Sequence, residues 1–188
     1  MPNYCWNSIT IYKEDIKLLE ELKSKFENNS FNYSIDYYKN LFPADYILPD
    51  IEIHDIYSVS STFGSKWFDL SSCYIEEDNT LILNGDSAWG PIVPLVKMLS
   101  EAYQCNTSIY YEEPGCDFGG KAEYNCGEIV EELHTTYLHI RYIDDGLEAI
   151  YNEFQEGFIS CERLAEISEF VSDEDFEEIL NNYKDVQN

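Results

Sequence analysis

The sequence predicts an α+β fold of the ferredoxin-like class, an antiparallel sheet with two helices on one face, here carrying an insertion and a C-terminal helical extension. Three observations lead to this prediction: an alternating apolar pattern at the N-terminus, two amphipathic stripes at helical spacing, and paired strand signals separated by turn residues. Their order is β-α-(insertion)-β-β-α-β followed by a hairpin, which is the split βαβ arrangement.

The first strand is predicted over residues 3–12, where side chains alternate with a period of two. One face carries Cys5, Ile9 and Ile11, and the other carries Tyr4, Trp6 and Tyr12. Residues 13–29 follow with apolar side chains at helical spacing and predict an amphipathic helix. Residues 30–60 show no sustained period and predict an irregular insertion with short elements.

The second half of the predicted sheet begins with a hairpin. Strands over 68–76 and 80–85 flank the turn residues 77–79, and a helix then runs from Pro91 to about Gln104. Further strands are predicted in sequence order over 107–112, 121–125, 128–133 and, as the last run, 135–142.

The composition changes after residue 142. Residues 144–188 contain fourteen acids against Arg163 and Lys184, a net of 14 − 2 = 12 negative charges, with apolar side chains at helical spacing. The sequence therefore predicts a ferredoxin-like domain over residues 1–142 and an acidic helical extension over 143–188.

The charge balance restricts the partners. Thirty-seven acids against eleven basic residues give a net charge of −26, and such a surface repels nucleic-acid phosphates. Direct nucleic-acid binding is thus disfavoured, and two explanations of the charge stay open, a surface that serves solubility alone and a basic protein partner. The start of the chain has no secretion signal and no stretch is long and apolar enough for a membrane span, so a cytoplasmic protein without membrane contact is expected. Six cysteines without a C-x-x-C pair indicate reduced thiols.

Four short stretches carry a family resemblance: MPNYCWNSITI at the N-terminus, FGSKW (63–67), GDSAWGP (85–91) and YYEEPGCDFGG (110–120). Together they resemble the YubB-type ferredoxin-like domain family of small phage- and plasmid-encoded proteins, over about residues 1–130. The resemblance implies the ferredoxin-like fold and an origin in a mobile genetic element. It implies no activity.

Catalytic and metal chemistry are disfavoured. Glu112 and Glu113 are adjacent on a strand, so they point to opposite faces and cannot act as an acid/base pair without a bend. The three histidines, His54, His134 and His139, do not match zinc spacing. Gly115, Gly119 and Gly120 precede no helix that would hold a phosphate, and Cys116 has acids rather than bases around it. The 110–120 stretch is therefore interpreted as a shaped turn with Phe118 packed inward, and no enzyme, cofactor or metal is predicted.

The aromatic side chains allow two interpretations. Lys66, Trp67 and Trp89 are candidates for a pocket or a cation–π contact, but packing in the core is the favoured interpretation because large aromatics dominate core energetics. Tyr4, Trp6 and Tyr12 on one sheet face are similar to an RNA-stacking platform, which the net charge argues against.

The sequence thus predicts an inhibitor of a bacterial defence system, of anti-CRISPR or anti-restriction type, that mimics a nucleic acid and occupies a basic cleft. The predicted contact residues are Glu112, Glu113, Asp117, Glu162, Glu166, Glu169, Asp173, Glu174, Glu177 and Glu178. Two alternatives stay open. One is a protein–protein adaptor that uses the aromatic sheet face or insertion residues Tyr37, Tyr38 and Phe42, and the other is a small-molecule enzyme with a site near Lys66, Trp67 and Glu112.

Overall fold

The computed structural model describes residues 3–28, 35–49 and 56–144 of the 188-residue chain. The chain divides into two units, Met1–Thr135 and Thr136–Asn188. The first unit contains an antiparallel sheet built from β1 (Tyr4–Tyr12), β2 (Phe68–Ile75), β3 (Thr80–Ala88), β4 (Asn106–Glu113), β5 (Phe118–Asn125) and β6 (Glu128–Thr135). Its helices are α1 (Ile16–Asn28), α2 (Ile35–Leu41), α3 (Ile56–Phe63) and α4 (Val93–Tyr103).

The sheet order is β2-β3-β1-β4-β5-β6. Its first four strands, with α1 and α4 as the two crossover helices, form the predicted ferredoxin-like split βαβ unit. β5 and β6 extend the sheet beyond β4, as the hairpin signal in the sequence predicts. The α+β ferredoxin-like prediction is confirmed.

One face of the sheet packs against the helices. Along β1 the predicted alternation is observed, because Cys5, Ile9 and Ile11 are fully buried while Tyr4 and Tyr12 are exposed. The helices contribute the other half of this core through their apolar stripes, which are Leu19, Leu22 and Phe26 of α1 and Leu95, Val96 and Leu99 of α4. Each such side chain stabilises the fold by about 1.5–3 kcal/mol when fully buried.

The insertion adds to the same helical layer. Tyr38 of α2 stacks on Phe63 of α3 with ring centroids 4.3 Å apart, and Phe42 stacks on Tyr46. Tyr37, Tyr38 and Phe42 are 2%, 1% and 5% exposed. These three side chains are therefore core residues, and the prediction of them as an adaptor surface is wrong.

Several boundaries differ from the sequence prediction. For example, β5 begins at Phe118 rather than at Lys121. β3 continues to Ala88 rather than ending at Gly85, which places Asp86 and Ser87 within the sheet. The run 135–142 is not a further strand, because Thr135 is the last residue of β6 and Tyr137–Asp144 forms helix α5 of the second unit. Its aromatic and β-branched composition favours a strand, but Thr136 precedes the helix and its Oγ1 accepts a hydrogen bond from the His139 amide at 3.3 Å. A threonine in this position caps a helix start.

Within the described ranges, no helix combines the length and apolarity needed to cross a bilayer.

Candidate functional site

The four stretches singled out in the sequence meet at one end of the sheet, called the motif end below. Here β1 begins, β3 ends, β2 begins and β4 ends, so antiparallel pairing brings the stretches together. Tyr4 pairs with Ala88, and Trp6 pairs with Glu112. Gly64, with φ of +89°, approaches the stretch 85–91 so closely that a Cβ atom would lie 2.3 Å from the Pro91 carbonyl oxygen. Only glycine fits there.

Asn7 connects two of these stretches from inside the core. Its side chain is fully buried, and Nδ2 donates to the Cys5 carbonyl at 2.7 Å and to Ser87 Oγ at 2.9 Å. Its Oδ1 accepts a hydrogen bond from the Ile92 amide, just before α4, at 3.3 Å. A buried amide with satisfied donors and acceptor fixes the strand and the helix start in one arrangement.

Ser65 makes a similar connection for the stretch 63–67. Its hydroxyl is fully buried, accepts a hydrogen bond from the Ala88 amide at 2.9 Å, and lies 2.8 Å from the Ala88 carbonyl oxygen as a donor. Ser87 Oγ, also buried, donates to the Gly90 carbonyl at 2.7 Å. The hydroxyl at both places has a structural role, since each hydroxyl satisfies backbone groups at the end of β3.

The 110–120 stretch contains a capped turn between β4 and β5. Pro114–Cys116 forms a short 3-10 turn, and the Glu113 carboxylate accepts hydrogen bonds from the Gly115 amide at 3.2 Å and from the Cys116 amide. Glu113 is only 4% exposed. Its carboxylate is therefore used inside the fold and is not on a surface that a partner can reach, whereas Asp117, which follows the turn, is exposed.

The glycines of this stretch make room for aromatic packing rather than for a phosphate. A Cβ atom on Gly120 would lie 2.3 Å from the Tyr111 hydroxyl oxygen and 2.3 Å from the Leu133 carbonyl oxygen. The Tyr111 hydroxyl lies 3.0 Å from His134 Nδ1, and Phe118 packs near both rings with centroids 6.5 and 5.9 Å away. Phe118 thus packs inward against the core, as predicted.

The sheet face away from α1 and α4, called the open face below, carries a row of charged and aromatic side chains near the motif end. Asp69, Asp86, Trp6 and Glu112 occupy directly opposed positions on β2, β3, β1 and β4. Opposed residues have Cβ atoms about 4.5–5.5 Å apart on the same face. These four residues, the aromatic–acidic row, place an indole between two carboxylates with a third beyond.

The electrostatics of the row are unfavourable in isolation. Partial burial raises the pKa of Asp86 above its ordinary value, and the neighbouring carboxylate of Asp69 raises it further. Like charges directly opposed on a sheet destabilise it. Glu112 is half-buried and accepts a hydrogen bond from the Tyr110 hydroxyl at 3.0 Å.

Exposed aromatic side chains lie in the row and in the sequence stretches that contribute to it. Trp6 is 37% exposed and meets Tyr110 edge to face with centroids 6.0 Å apart. Tyr4 is 55% exposed and lies against Trp67 at 5.6 Å. Trp89 is 60% exposed and adopts a left-handed backbone with φ of +70°. A bulky residue in this backbone region is uncommon, and its backbone amide is held by the Asn3 carbonyl at 3.1 Å.

The packing interpretation of Trp67 and Trp89 is therefore only partly right. Trp67 is half-buried, but Trp89 presents much of its area to solvent. Sequence reasoning missed Asp69 and Asp86 because it ended β3 at Gly85, which left Asp86 in a loop. A prediction that extended β3 past Gly85 would have placed Asp86 in register with Trp6 of β1, on the same face of the sheet.

Seven predicted contact residues lie outside the described residues: Glu162, Glu166, Glu169, Asp173, Glu174, Glu177 and Glu178. His54 lies outside them as well. Within the described part, no group of three or more histidine, cysteine or acidic side chains is placed to hold a metal ion. The five described cysteines are free thiols, and Cys116 Sγ lies 2.7 Å from Asn3 Nδ2.

The predicted enzyme site near Lys66, Trp67 and Glu112 is spread over the sheet. Trp67 lies beside β2 whereas Glu112 is on β4, with β3 and β1 between them. An open depression of about 400 Å³ lies at the other end of the sheet, where its lining includes Thr10, Tyr12, Ser108 and Asn125.

Comparison with known proteins identifies a related domain. Residues 67–153 match the family model described as the ferredoxin-like domain in Api92-like protein. This is a ferredoxin-like match, as the resemblance in the sequence implies, but it carries the Api92-like name and a different range, and the YubB-type name is not confirmed. The chain is also similar to the crystal structure of a protein api92 from Yersinia pseudotuberculosis, with 11% identity, 71% of this chain and 98% of that chain covered, and a TM-score of 0.46. No curated protein matches the chain significantly.

Proposed function

We propose that this chain is a non-enzymatic inhibitor that binds a basic, nucleic-acid-binding protein of a bacterial defence system, of anti-CRISPR or anti-restriction type. In this proposal a phage or plasmid encodes the chain, and it acts in the host cytoplasm by occupying a basic cleft in place of a polynucleotide. The observation that carries the proposal is the net charge of −26 over 188 residues. A charge of this size steers the protein toward positive surfaces and away from nucleic acid.

The fold supports this proposal because it holds carboxylates on a rigid frame. The edge strand β6 displays Glu128, Glu131 and Glu132 at its exposed positions, and Asp117 is exposed beyond the end of β4. Carboxylates on a sheet require little additional ordering when a partner binds. The acids of residues 144–188 would add rows with side chains about 5–6 Å apart where the sequence predicts helices.

Competition with DNA tests the proposal. The immobilised chain is exposed to a bacterial lysate at low salt, and bound proteins are eluted either by salt or by double-stranded DNA and identified by mass spectrometry. We expect a nucleic-acid-binding protein that both agents release and whose DNA binding the free chain inhibits. Binding that neither salt nor DNA weakens contradicts the mimic.

A matched pair of variants separates a specific acidic surface from net charge. Reversing Glu162, Glu166, Asp173 and Glu177 to lysine should abolish inhibition while the fold is retained. Reversing the exposed acids Glu14, Glu20, Glu76 and Glu77 changes the net charge equally and should retain most inhibition. Equal loss in both variants would leave charge alone as the explanation.

The adaptor alternative keeps one supporting observation, the exposure of Tyr4 and Trp6 on the open face. An interface that rests on these aromatic side chains would bury apolar area, and its affinity would change little with salt. The salt dependence measured in the competition experiment therefore separates the two functions.

A further inference from the structure

We infer that the aromatic–acidic row is a docking surface for an extended, arginine-bearing segment of a protein partner. The inference rests on the proposed function in one respect, the basic character of the partner. The inference adds where on the fold the partner binds and which side chain of the partner is recognised.

The first argument is the chemistry of the row. Trp6 lies between Asp86 and Glu112 in the sheet register, and Asp69 lies opposite Asp86. A cation over an indole ring is attracted by the ring, and tryptophan is the best aromatic for this contact. Carboxylates on both sides of the ring can pair with the same cation, so the row combines the two interactions that a basic side chain forms most favourably.

The second argument concerns the charges of the two aspartates in the row. Asp69 and Asp86 face each other without an ion pair to a lysine or arginine among the described contacts of either side chain. On β5, Lys121 lies opposite Tyr110, and its Nζ is paired with Glu131 at 2.9 Å. A bound cation would relieve the repulsion between the two aspartates, which the fold otherwise retains at a cost in stability.

The third argument favours arginine over lysine. A guanidinium group is planar, stacks on aromatic faces and donates two parallel hydrogen bonds to one carboxylate, whereas an ammonium group is compact and strongly hydrated. The exposed rings of Trp6 in the row and of Tyr4, two residues before it on the same face of β1, offer faces for stacking. Tyrosine, tryptophan and arginine are also the side chains that dominate binding energy at protein interfaces.

The dimensions favour an extended segment over a small molecule. Four strands span three interstrand spacings, or roughly 14 Å, which corresponds to about four residues of an extended peptide. The described surface around the row is an exposed sheet face, whereas small-molecule sites are concave and bury most of the ligand. A polynucleotide is excluded as the occupant because the carboxylates repel its phosphates.

Peptide binding to the full chain tests the inference. The probes are fluorescein-labelled nona-arginine and nona-lysine peptides, and affinity is measured by fluorescence anisotropy at about 50 and 150 mM NaCl. The test variant is Asp69→Asn with Asp86→Asn. Its matched control is Glu76→Gln with Glu77→Gln, which removes two exposed charges from the other end of the same β2–β3 hairpin.

We expect the double variant Asp69→Asn with Asp86→Asn to have a roughly fivefold or more lower affinity for nona-arginine than the wild type. The control variant should lose less than about twofold. Trp6→Leu keeps an apolar side chain and leaves the net charge of the chain unchanged. It should weaken the binding of nona-arginine more than that of nona-lysine, because the ring on which a guanidinium stacks is removed. Trp6→Phe should restore part of the difference, so a general loss of folding is recognisable.

The outcomes separate this surface from the proposed function. If both double variants bind nona-arginine tightly and equally, and Trp6→Leu does not change the affinity, the docking surface is overturned. A basic partner that binds elsewhere on the chain would remain consistent with that result. Equal weakening of both peptides by both pairs also overturns it, because net charge then explains the binding. Absence of any binding to either peptide at low salt contradicts the surface and the basic partner together.

Discussion

On the helix-covered face of β1, the side chains of Cys5, Asn7, Ile9 and Ile11 are fully buried, whereas on the open face of the same strand Trp6 and Tyr4 retain 37% and 55% of their exposure. The buried set is apolar except for Asn7 and packs against two helices. The open set is aromatic and lies among carboxylates. One strand therefore contributes stability through one face and candidate recognition through the other.

The residues of the four motif stretches therefore have two different roles. Asn7, Ser65, Ser87 and Glu113 are buried and satisfy backbone groups where several strands end. Trp6 and Asp86, from the same stretches, face the open side of the sheet. A short sequence motif thus builds a rigid end of the sheet and, on alternate positions, furnishes a surface.

The largest expected effect comes from the helix-covered face. Ile9→Ala should lower the free energy of unfolding by about 2–4 kcal/mol, because Ile9 is fully buried and its truncation leaves a cavity. The matched variant Ile82→Ala removes the same atoms from a half-buried position on the open face. We expect it to cost less than half as much. Urea denaturation measures both, and equal costs would contradict the assignment of one buried face.

An intermediate effect is expected at the buried amide of the motif end. Asn7→Ala should cost about 1–3 kcal/mol, because the Ile92 amide loses its acceptor in a site without water access. Asn84→Ala is the matched variant, since Asn84 lies one strand away on the open face and donates only to Ser72 Oγ at 3.0 Å.

Urea denaturation of these two asparagine variants, with hydrogen exchange of the Ile92 amide, checks the expectation. Faster exchange in Asn7→Ala alone would show that the amide holds the start of α4. A cost for Asn84→Ala that matches the cost for Asn7→Ala would mean that the network at the motif end has no special role.

How far the sequence predicts this molecule follows from the same two faces. The helix-covered face was predictable because period-two and helical spacing directly report burial, as at Ile9, Leu22 and Leu99. The strand order was predictable from the order of the elements. The run 135–142 was predicted wrongly because a single cap, Thr136, overrides the strand preference of its aromatic side chains.

The candidate site was less accessible to sequence reasoning. Recognising the aromatic–acidic row requires the register between strands that are far apart in sequence, which no local pattern specifies. Asp69 and Asp86 are opposed only because β3 continues through Ser87 and pairs with the start of β2. Glu113 was predicted to contact a partner because it is acidic and lies near a turn, and only the structure shows that its carboxylate caps that turn.

The smallest expected effect is an increase in stability, from a substitution on the open face. Asp86 has a pKa raised above its ordinary value of 3.8 by partial burial and by Asp69. A carboxyl whose pKa is higher in the folded state than in the unfolded state favours the fold when protonated, and this contribution is lost as the pH rises through the folded pKa. At neutral pH the ionised carboxylate of Asp86 therefore lowers the stability of the fold, and Asp86→Asn should raise the melting temperature slightly.

This gain should disappear as the pH falls below the ordinary value for aspartate, because the wild-type carboxyl is then protonated and resembles the amide. Thermal denaturation followed by circular dichroism across this pH range measures the difference. Asp78→Asn, in the exposed β2–β3 turn, is the control that removes one charge without relieving an opposed pair. If Asp78→Asn raised the melting temperature as much as Asp86→Asn, the lower net charge would explain both increases. The repulsion between Asp69 and Asp86 would then not be a local cost that a bound cation could relieve.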